Sequence, residues 1–257
     1  MEDRRMPLRE HLNELRRTLI RSAIVLAALF GVGIVFSEPI MRFVCEPWNK
    51  CRVALTAQGA RDPGSLVYLG PAEGMITVFQ VAFLAAIIVG SPYYLWELWR
   101  FVGVGLLPRE RRAVLKAFFP GVLLLLSGIT FGWMLLLPIT LEYLVSFLNP
   151  DIAVSSVTLS FYLKFITNLT LVMGFVFETP LIMWAIARAG LMKASTMKKS
   201  RRVAFLAIMV FGAAVTPGPD VISMMVVAVP MYVLYEVGLI LAARAEAARD
   251  RAWGIAP

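Results

Sequence analysis

The chain has 257 residues, of which 59% are hydrophobic and 16% charged, and its mean hydropathy is +0.75. A soluble domain averages about 45–50% apolar and about 25% charged residues, so a soluble core of this size cannot bury so much apolar surface. The net charge of +8 would suggest nucleic-acid binding in a soluble protein. Here the basic residues lie in short clusters between apolar runs, as membrane topology predicts. We therefore expect a single all-α, polytopic membrane domain that does not bind nucleic acid.

Six apolar runs predict six membrane-spanning helices, because a span needs about 20 mostly apolar residues. Residues 37–73 contain several prolines and are expected to form an outer loop with one short helix around residues 40–44. The fifth run has only 13 residues, about 20 Å of helix, and Glu236 interrupts the sixth. The last two helices are therefore expected to be short. The predicted spans are residues 19–36, 75–96, 114–137, 161–187, 203–215 and 221–241.

The distribution of lysine and arginine predicts the orientation. Of the 25 basic residues, 20 lie before the first span or in its first turn, between spans two and three or in the first turn of span three, between spans four and five, or in the tail, residues 244–257. Segments enriched in lysine and arginine face the cytoplasm, so both termini are expected there. The first run is not followed by a small-residue cleavage site, so we expect it to be a retained span rather than a signal peptide.

The residues needed for metal or histidine chemistry are scarce. The chain has two cysteines, Cys45 and Cys51, and one histidine, His11, which do not make a zinc site. A metalloprotease H-E-x-x-H pair is absent, and His11 lies outside the predicted spans, so we expect neither a cofactor nor enzymatic activity. Both cysteines fall in the outer loop, where disulfides can form. A disulfide between them is a hypothesis, since Pro47 is expected to break a continuous helix.

Glu178 is the most unusual residue, because an acid at membrane depth is costly and indicates function by default. The alternative is a protonated glutamate hydrogen-bonded within the bundle. One function that it could serve is that of a proton relay with Lys164 in a small proton-coupled secondary transporter. Many transporters contain internal repeats, and no such repeat is evident in this sequence.

Five short motifs follow one another along nearly the whole chain. They begin at Pro7 (PLREHLNELR), Ser91 (SPYYLWELWRF), Pro108 (PRERR), Phe177 (FETP) and Thr216 (TPGPD). In this order and spacing they resemble the motifs of TatC, the receptor subunit of the twin-arginine protein translocase. The resemblance implies a concave bundle of six helices that binds signal peptides of folded precursor proteins.

The resemblance implies that Glu14 and Glu110 recognise the two consecutive arginines of the signal peptide at the cytoplasmic face. A carboxylate binds a guanidinium through two parallel hydrogen bonds, a geometry that lysine cannot reproduce. Phe101 and Trp99 would offer an apolar wall to the hydrophobic stretch of the peptide. Structural explanations also exist: Glu110 suits the first turn of a helix, Glu14 can pair with Arg17, and Trp99 can anchor the helix at the interface.

The family also implies TatA- and TatB-type single-span partners, a homo-oligomer within the receptor complex, transport driven by the proton motive force, and a location in the inner (plasma) membrane. It places Glu178 on a concave face open to lipid or to partner helices. Thr216 and Asp220 belong to the outer turn, where Asp220 can equally cap a helix. Two departures concern Val104, in a stretch that usually carries proline, and Met224, where many members have a glutamine associated with partner docking.

Overall fold

The computed structural model describes residues 8–59, 62–104, 117–146, 157–216 and 221–252. These residues are almost entirely helical, and their β-structure is limited to an isolated bridge between Val67 and Thr158. The helices are α1 (Leu8–Val35), α2 (Ser37–Ala57), α3 (Pro71–Val104), α4 (Phe118–Phe131), α5 (Leu137–Ser146), α6 (Leu159–Phe177), α7 (Thr179–Arg188), α8 (Ala194–Lys199), α9 (Arg201–Val215) and α10 (Val221–Ala252).

Within the described part of the chain, five helical stretches are long and apolar enough to cross a membrane. Helix α9 has 15 residues, about 22 Å, which is shorter than a hydrocarbon core of about 30 Å. The all-α membrane architecture agrees with the expectation from the sequence, whereas the count of six spans and the cytoplasmic termini stay predictions. The five stretches are Arg9–Val35, Pro71–Phe101, Phe118–Val145, Leu159–Arg188 and Met224–Arg251.

The segment after α1 is a helix of 21 residues, so the prediction of a loop with one short helix was wrong. Helix α2 buries Val44, Trp48, Cys51 and Leu55, a spacing of three or four residues that places them on one apolar face. The Tyr162 hydroxyl in α6 donates to the Val44 carbonyl at 2.8 Å. Burial of this face stabilises the helix despite Pro47 within it.

Side-chain hydrogen bonds hold the segment that follows α2 against its neighbours. Arg52 donates to both carboxylate oxygens of Asp62, at 2.8 and 2.6 Å. These bonds are the main reason that the pKa of Asp62 is lowered to about 2, and a hydrogen bond from the Gly64 amide is the next largest cause. At the start of α3, the Glu73 carboxylate accepts a hydrogen bond from the Ser160 amide at 3.1 Å. Side-chain hydrogen bonds therefore join residues 62–64 to α2, and the start of α3 to the start of α6.

The disulfide hypothesis was wrong, since Cys45 and Cys51 are both free thiols. They stand six positions apart on the continuous helix α2, a rise of about 9 Å. A disulfide joins Cα atoms about 4.4–6.8 Å apart, so the bridge would require α2 to unwind.

The two thiols are expected to be poorly reactive. Burial, with a smaller contribution from the Glu142 carboxylate, raises the pKa of Cys51 to about 11. At pH 8 its thiolate fraction should be about a hundredth of that of a thiol with a pKa of 9, so maleimide labelling should be slow and should accelerate as the pH rises towards 11. Peptide mass spectrometry without reductant, after timed labelling at pH 7, 8 and 9, measures this. A pH-independent rate, or a bridged peptide, would contradict the prediction.

The third span extends past its predicted end at residue 137. A π-helical turn, Gly132–Leu136, joins α4 to α5, and the Leu137 amide bonds to the Gly132 carbonyl. A π-turn of this kind releases the regular hydrogen-bonding register, which suits Pro138 because proline has no amide hydrogen to donate. The helix therefore continues through Pro138 to Ser146.

The last helix is long, so the prediction that both final helices are short was wrong for α10, which has 32 residues. Glu236 does not interrupt it, because its carboxylate pairs with Arg201 at the start of α9 and accepts a hydrogen bond from Tyr232. The predicted tail after residue 244 continues the helix to Ala252, and its alanines favour that conformation.

The segment formed by α4 and the π-helical turn approaches α6 closely at two glycines, Gly128 of α4 and Gly132 of the turn. A Cβ atom on Gly128 would lie 2.5 Å from the Met173 carbonyl oxygen, and one on Gly132 would lie 3.2 Å from Met173 Cβ. Gly128 and Gly132 form a G-x-x-x-G motif, which lets the backbones of membrane helices come into contact. The α4–α6 pair is thereby fixed, and α3 packs beside it.

Candidate functional site

A charged cluster joins α1 to α3, and it consists of Glu14, Thr18, Arg21, Glu97 and Arg100. Glu97 is buried at its centre. Its carboxylate lies 3.0 Å from Arg21 Nη2 and 3.5 Å from Arg100 Nη1, and it accepts a hydrogen bond from the Thr18 hydroxyl at 3.4 Å. Two guanidinium groups from two helices thus compensate a buried charge, as burial of a carboxylate requires.

Glu14, a predicted recognition residue, lies at the edge of this charged cluster. Its Oε1 atom is 3.2 Å from Arg21 Nη2 and 3.6 Å from Arg100 Nη2, and its side chain is 20% exposed. Glu14 therefore contacts guanidinium groups on both helices, and its structural partners are these two arginines rather than the exposed Arg17. The carboxylate has a geometry that accommodates guanidinium groups and retains access to solvent.

Phe101, a second predicted site residue, lies on the same surface. Its ring stacks on the imidazole of His11, with ring centroids 4.5 Å apart and an angle of 24° between the planes. His11 precedes Glu14 by three residues on α1, which places both on one helical face. Glu14, His11 and Phe101 therefore form one surface, which we call the α1–α3 surface.

Trp99 lies elsewhere, because successive helical residues are rotated by 100° and Trp99 is two positions from Phe101. Its side chain is buried with Leu95, Ala117 and Leu181. It lines a cavity of about 420 Å³ between α3, α4, α6 and α7. The expectation that Trp99 and Phe101 share one wall was wrong.

Glu178 lines the same cavity as Trp99. It separates α6 from α7, and Pro180 stands in the first turn of α7. Glu178 is buried, and neither of its carboxylate oxygens has a hydrogen-bond partner among the residues that the structure describes. The rest of the lining is almost wholly apolar, and its rim includes the exposed side chains of Leu98, Phe175 and Ile182. The cavity suits an apolar segment that also brings a polar group to Glu178.

Lys164 lies far from Glu178 and does not contact it. The two residues are 14 positions apart along α6, about 21 Å, and Lys164 is exposed. A proton relay between them would need other groups along this path.

Comparison with protein families gives a match over most of the chain. The model of the family described as Sec-independent protein translocase protein (TatC) matches residues 10–230. The chain belongs to the TatC family.

Individual TatC proteins align with this chain over most of their length. The TatC of Koribacter versatilis is 36% identical over 230 residues, which cover 90% of this chain and 82% of the relative. That of Carboxydothermus hydrogenoformans is 31% identical over 242 residues, covering 94% and 95%. A crystal structure of the twin-arginine translocase receptor TatC superposes with a TM-score of 0.79 at 26% identity, covering 91% of this chain and 99% of the other. These relatives are named for protein translocation, a transport role rather than catalysis.

The remaining TatC motif residues lie at the opposite end of the bundle or outside the described residues. Thr216 directly follows the last residue of α9, and its buried hydroxyl donates to the Gly212 carbonyl at 3.1 Å. The Met224 backbone and side chain pack against Gly212, at 3.3 and 3.5 Å from the position of a Cβ on that glycine. Met224 therefore contributes to the α9–α10 contact. Glu110 and Asp220 lie outside the described residues, and the side chain of Val104 is likewise not described.

Sequence reasoning missed Glu97 and Arg21 as members of the charged cluster. The available signal was the spacing of Glu14, Thr18 and Arg21 on one face of α1, together with an acid near the end of α3. Their partnership depends on how α1 lies against α3, which the sequence of neither helix specifies.

Proposed function

We propose that this TatC-family chain is the receptor that binds twin-arginine signal peptides of folded precursors for export. The observation that carries the proposal is the α1–α3 surface, where a partly exposed carboxylate, Glu14, shares a helical face with His11, whose ring stacks on that of Phe101. Glu14 would accept one arginine of the signal through paired hydrogen bonds. Glu110, from the family motif, would accept the other.

The hydrophobic stretch of the signal peptide would then occupy the cavity lined by Trp99 and Glu178. Its apolar lining and exposed rim favour an apolar helix entering from the lipid. A polar group on that helix, or on a partner helix, would supply Glu178 with a hydrogen-bond partner. This hydrogen bond would offset the free-energy cost of burying a carboxyl group that has no hydrogen-bond partner.

The topology proposed from the basic residues puts the α1–α3 surface and both termini in the cytoplasm, with the chain in the inner (plasma) membrane. TatA- and TatB-type single-span subunits would assemble on the membrane-embedded surface of α9 and α10, near Thr216 and Met224. Along its length, helix α9 exposes Val203, Leu206 and Val210 on this surface. A homo-oligomer within the receptor complex and transport driven by the proton motive force complete the proposal.

Replacement of Glu14 by glutamine is expected to weaken binding of a twin-arginine peptide about ten- to hundredfold. A hydrogen bond to a charged group contributes roughly 1.5–3 kcal/mol, and glutamine removes the charge while keeping the size. The measurement is photocrosslinking in membranes from a probe at Leu15, offered a twin-arginine precursor and a twin-lysine precursor. In the unaltered protein the crosslink should appear with arginines and disappear with lysines, and in Glu14→Gln it should be lost or strongly reduced with arginines as well.

The matched control is Glu46→Gln, which removes an exposed, ion-paired carboxylate at the far end of the bundle. It should leave the crosslink unchanged. Equal crosslinking to both precursors in the unaltered protein would mean that Glu14 is structural. The proposal would then fail, and the alternative of a proton-coupled transporter that uses Glu178 would be favoured.

A further inference from the structure

The charged cluster is electrically balanced before any peptide arrives. Its two carboxylates, Glu14 and Glu97, face two guanidinium groups, those of Arg21 and Arg100. An arginine that approaches Glu14 therefore meets a carboxylate that is already compensated. Binding must either add a positive charge to a neutral cluster or displace one of the resident arginines.

The two resident arginines are held unequally. Arg21 lies 3.0 Å from Glu97 and 3.2 Å from Glu14, and it also donates to Thr18. Arg100 lies 3.5 Å from Glu97 and 3.6 Å from Glu14, beyond the usual 2.7–3.2 Å of a hydrogen bond. Its side chain is also the more exposed, at 40% against 34% for Arg21. Arg100 is the arginine that can leave Glu14 at lower cost.

Arg100 also has a second carboxylate within reach. Its Nη1 atom faces Glu97, one helical turn away on α3, while its Nη2 atom faces Glu14 on α1. Loss of the Glu14 contact therefore leaves the Arg100 charge paired with Glu97. A small rotation of one exposed side chain would open the side of Glu14 that faces Arg100, while Glu14 keeps its contact with Arg21 and no buried charge is left alone.

We propose that Arg100 is an internal competitor that occupies Glu14 in the resting receptor and moves onto Glu97 when an arginine of the signal binds. This inference rests on the proposed function and adds a regulatory contact to it. Binding becomes an exchange of one guanidinium for another at Glu14. The exchange lowers the affinity by the same factor for every peptide that binds through Glu14, since the competitor is the same for each.

The test is the equilibrium binding of a fluorescent synthetic twin-arginine signal peptide to the full chain in lipid nanodiscs, followed by anisotropy. Arg100→Gln should tighten binding about two- to fivefold at low ionic strength, the range expected for loss of one exposed ion pair. The matched control, Arg201→Gln, removes an arginine that is 41% exposed and paired with Glu236 on another helix pair. It should leave the affinity unchanged.

The salt dependence of the peptide affinity distinguishes competition by Arg100 from a change in the shape of the binding surface caused by the substitution. In the unaltered receptor one ion pair replaces another, so the affinity should depend weakly on salt. In Arg100→Gln the cluster carries a net negative charge, so the affinity should fall more steeply as salt is added. Arg100→Lys retains the charge without the forked geometry and should lie between the two.

Unchanged or weaker binding by Arg100→Gln, or equal tightening by Arg201→Gln, would overturn the inference. A changed preference for arginine over lysine in Arg100→Gln would also overturn it, because simple competition affects both peptides equally. These failures are distinct from failure of the proposed function. If the unaltered receptor does not prefer the twin-arginine peptide, the function fails; if it does and Arg100→Gln does not bind more tightly, only the inference fails.

Discussion

Replacement of Glu97 by alanine is expected to lower the free energy of unfolding by about 3 kcal/mol. Removing one partner of a buried ion pair typically costs roughly 3–5 kcal/mol, because the other charge is left uncompensated. The lower end applies here, since Arg21 and Arg100 are partly exposed and water can solvate them. The Thr18 hydroxyl also loses its acceptor. Equilibrium unfolding in mixed detergent micelles measures the change.

The comparison variant for Glu97 is Glu38→Ala. Glu38 also pairs with an arginine, Arg42, at 2.7 Å, but both side chains are exposed. Exposed pairs contribute roughly 0–1 kcal/mol, so this loss should be small. Equal losses in the two variants would mean that the α1–α3 contact does not depend on the buried charge. Glu97→Gln, which can still accept from Thr18, should fall between the two.

Replacement of Gly128 by alanine is expected to destabilise the fold by about 3 kcal/mol, the upper end of the usual 1–3 kcal/mol for overpacking. The added methyl would lie 2.5 Å from the Met173 carbonyl oxygen and 2.8 Å from Phe177 Cβ. The first of these is backbone, which no side-chain rotation can move away. Helices α4 and α6 would have to separate, and the same unfolding assay reports the loss.

Gly31→Ala is the matched control, because Gly31 also lies within an apolar membrane helix but a Cβ there meets nothing within 4 Å. Alanine is intrinsically a better helix former than glycine by up to about 1 kcal/mol. This variant should therefore be neutral or slightly more stable. If both variants lose stability alike, the cause lies in the loss of glycine itself rather than in the close approach of α4 to α6.

The parts of the fold that could be predicted were those set by long apolar runs. Helices α1, α3 and α6 follow directly from such runs, since a run of about 20 apolar residues has few alternatives in a membrane. Helix α2 was missed because its prolines suggested turns. The apolar face formed by Val44, Trp48 and Leu55 indicates the helix. How much this face stabilises the helix depends on the residues that pack against it.

The candidate site was predictable only where a single residue carries the signal. Glu14, Phe101 and Glu178 were found through motifs or through the cost of an acid at membrane depth. The partnership of Arg21 with Glu97 joins residues 76 positions apart, and it depends on the relative rotation of two helices. The separation of Trp99 from Phe101 was available in principle, because two helical positions differ by about 200°.

The stack of His11 on Phe101 has a practical consequence for spectroscopy. His11 is the sole histidine of the chain, and its ring lies 4.5 Å from the ring of Phe101. The circulating π-electrons of the phenyl group shift the resonances of imidazole protons stacked on it. One pair of imidazole signals therefore belongs to the α1–α3 surface without any label. Binding of any molecule that separates the two rings would therefore be detected as a change in the chemical shifts of the His11 imidazole protons.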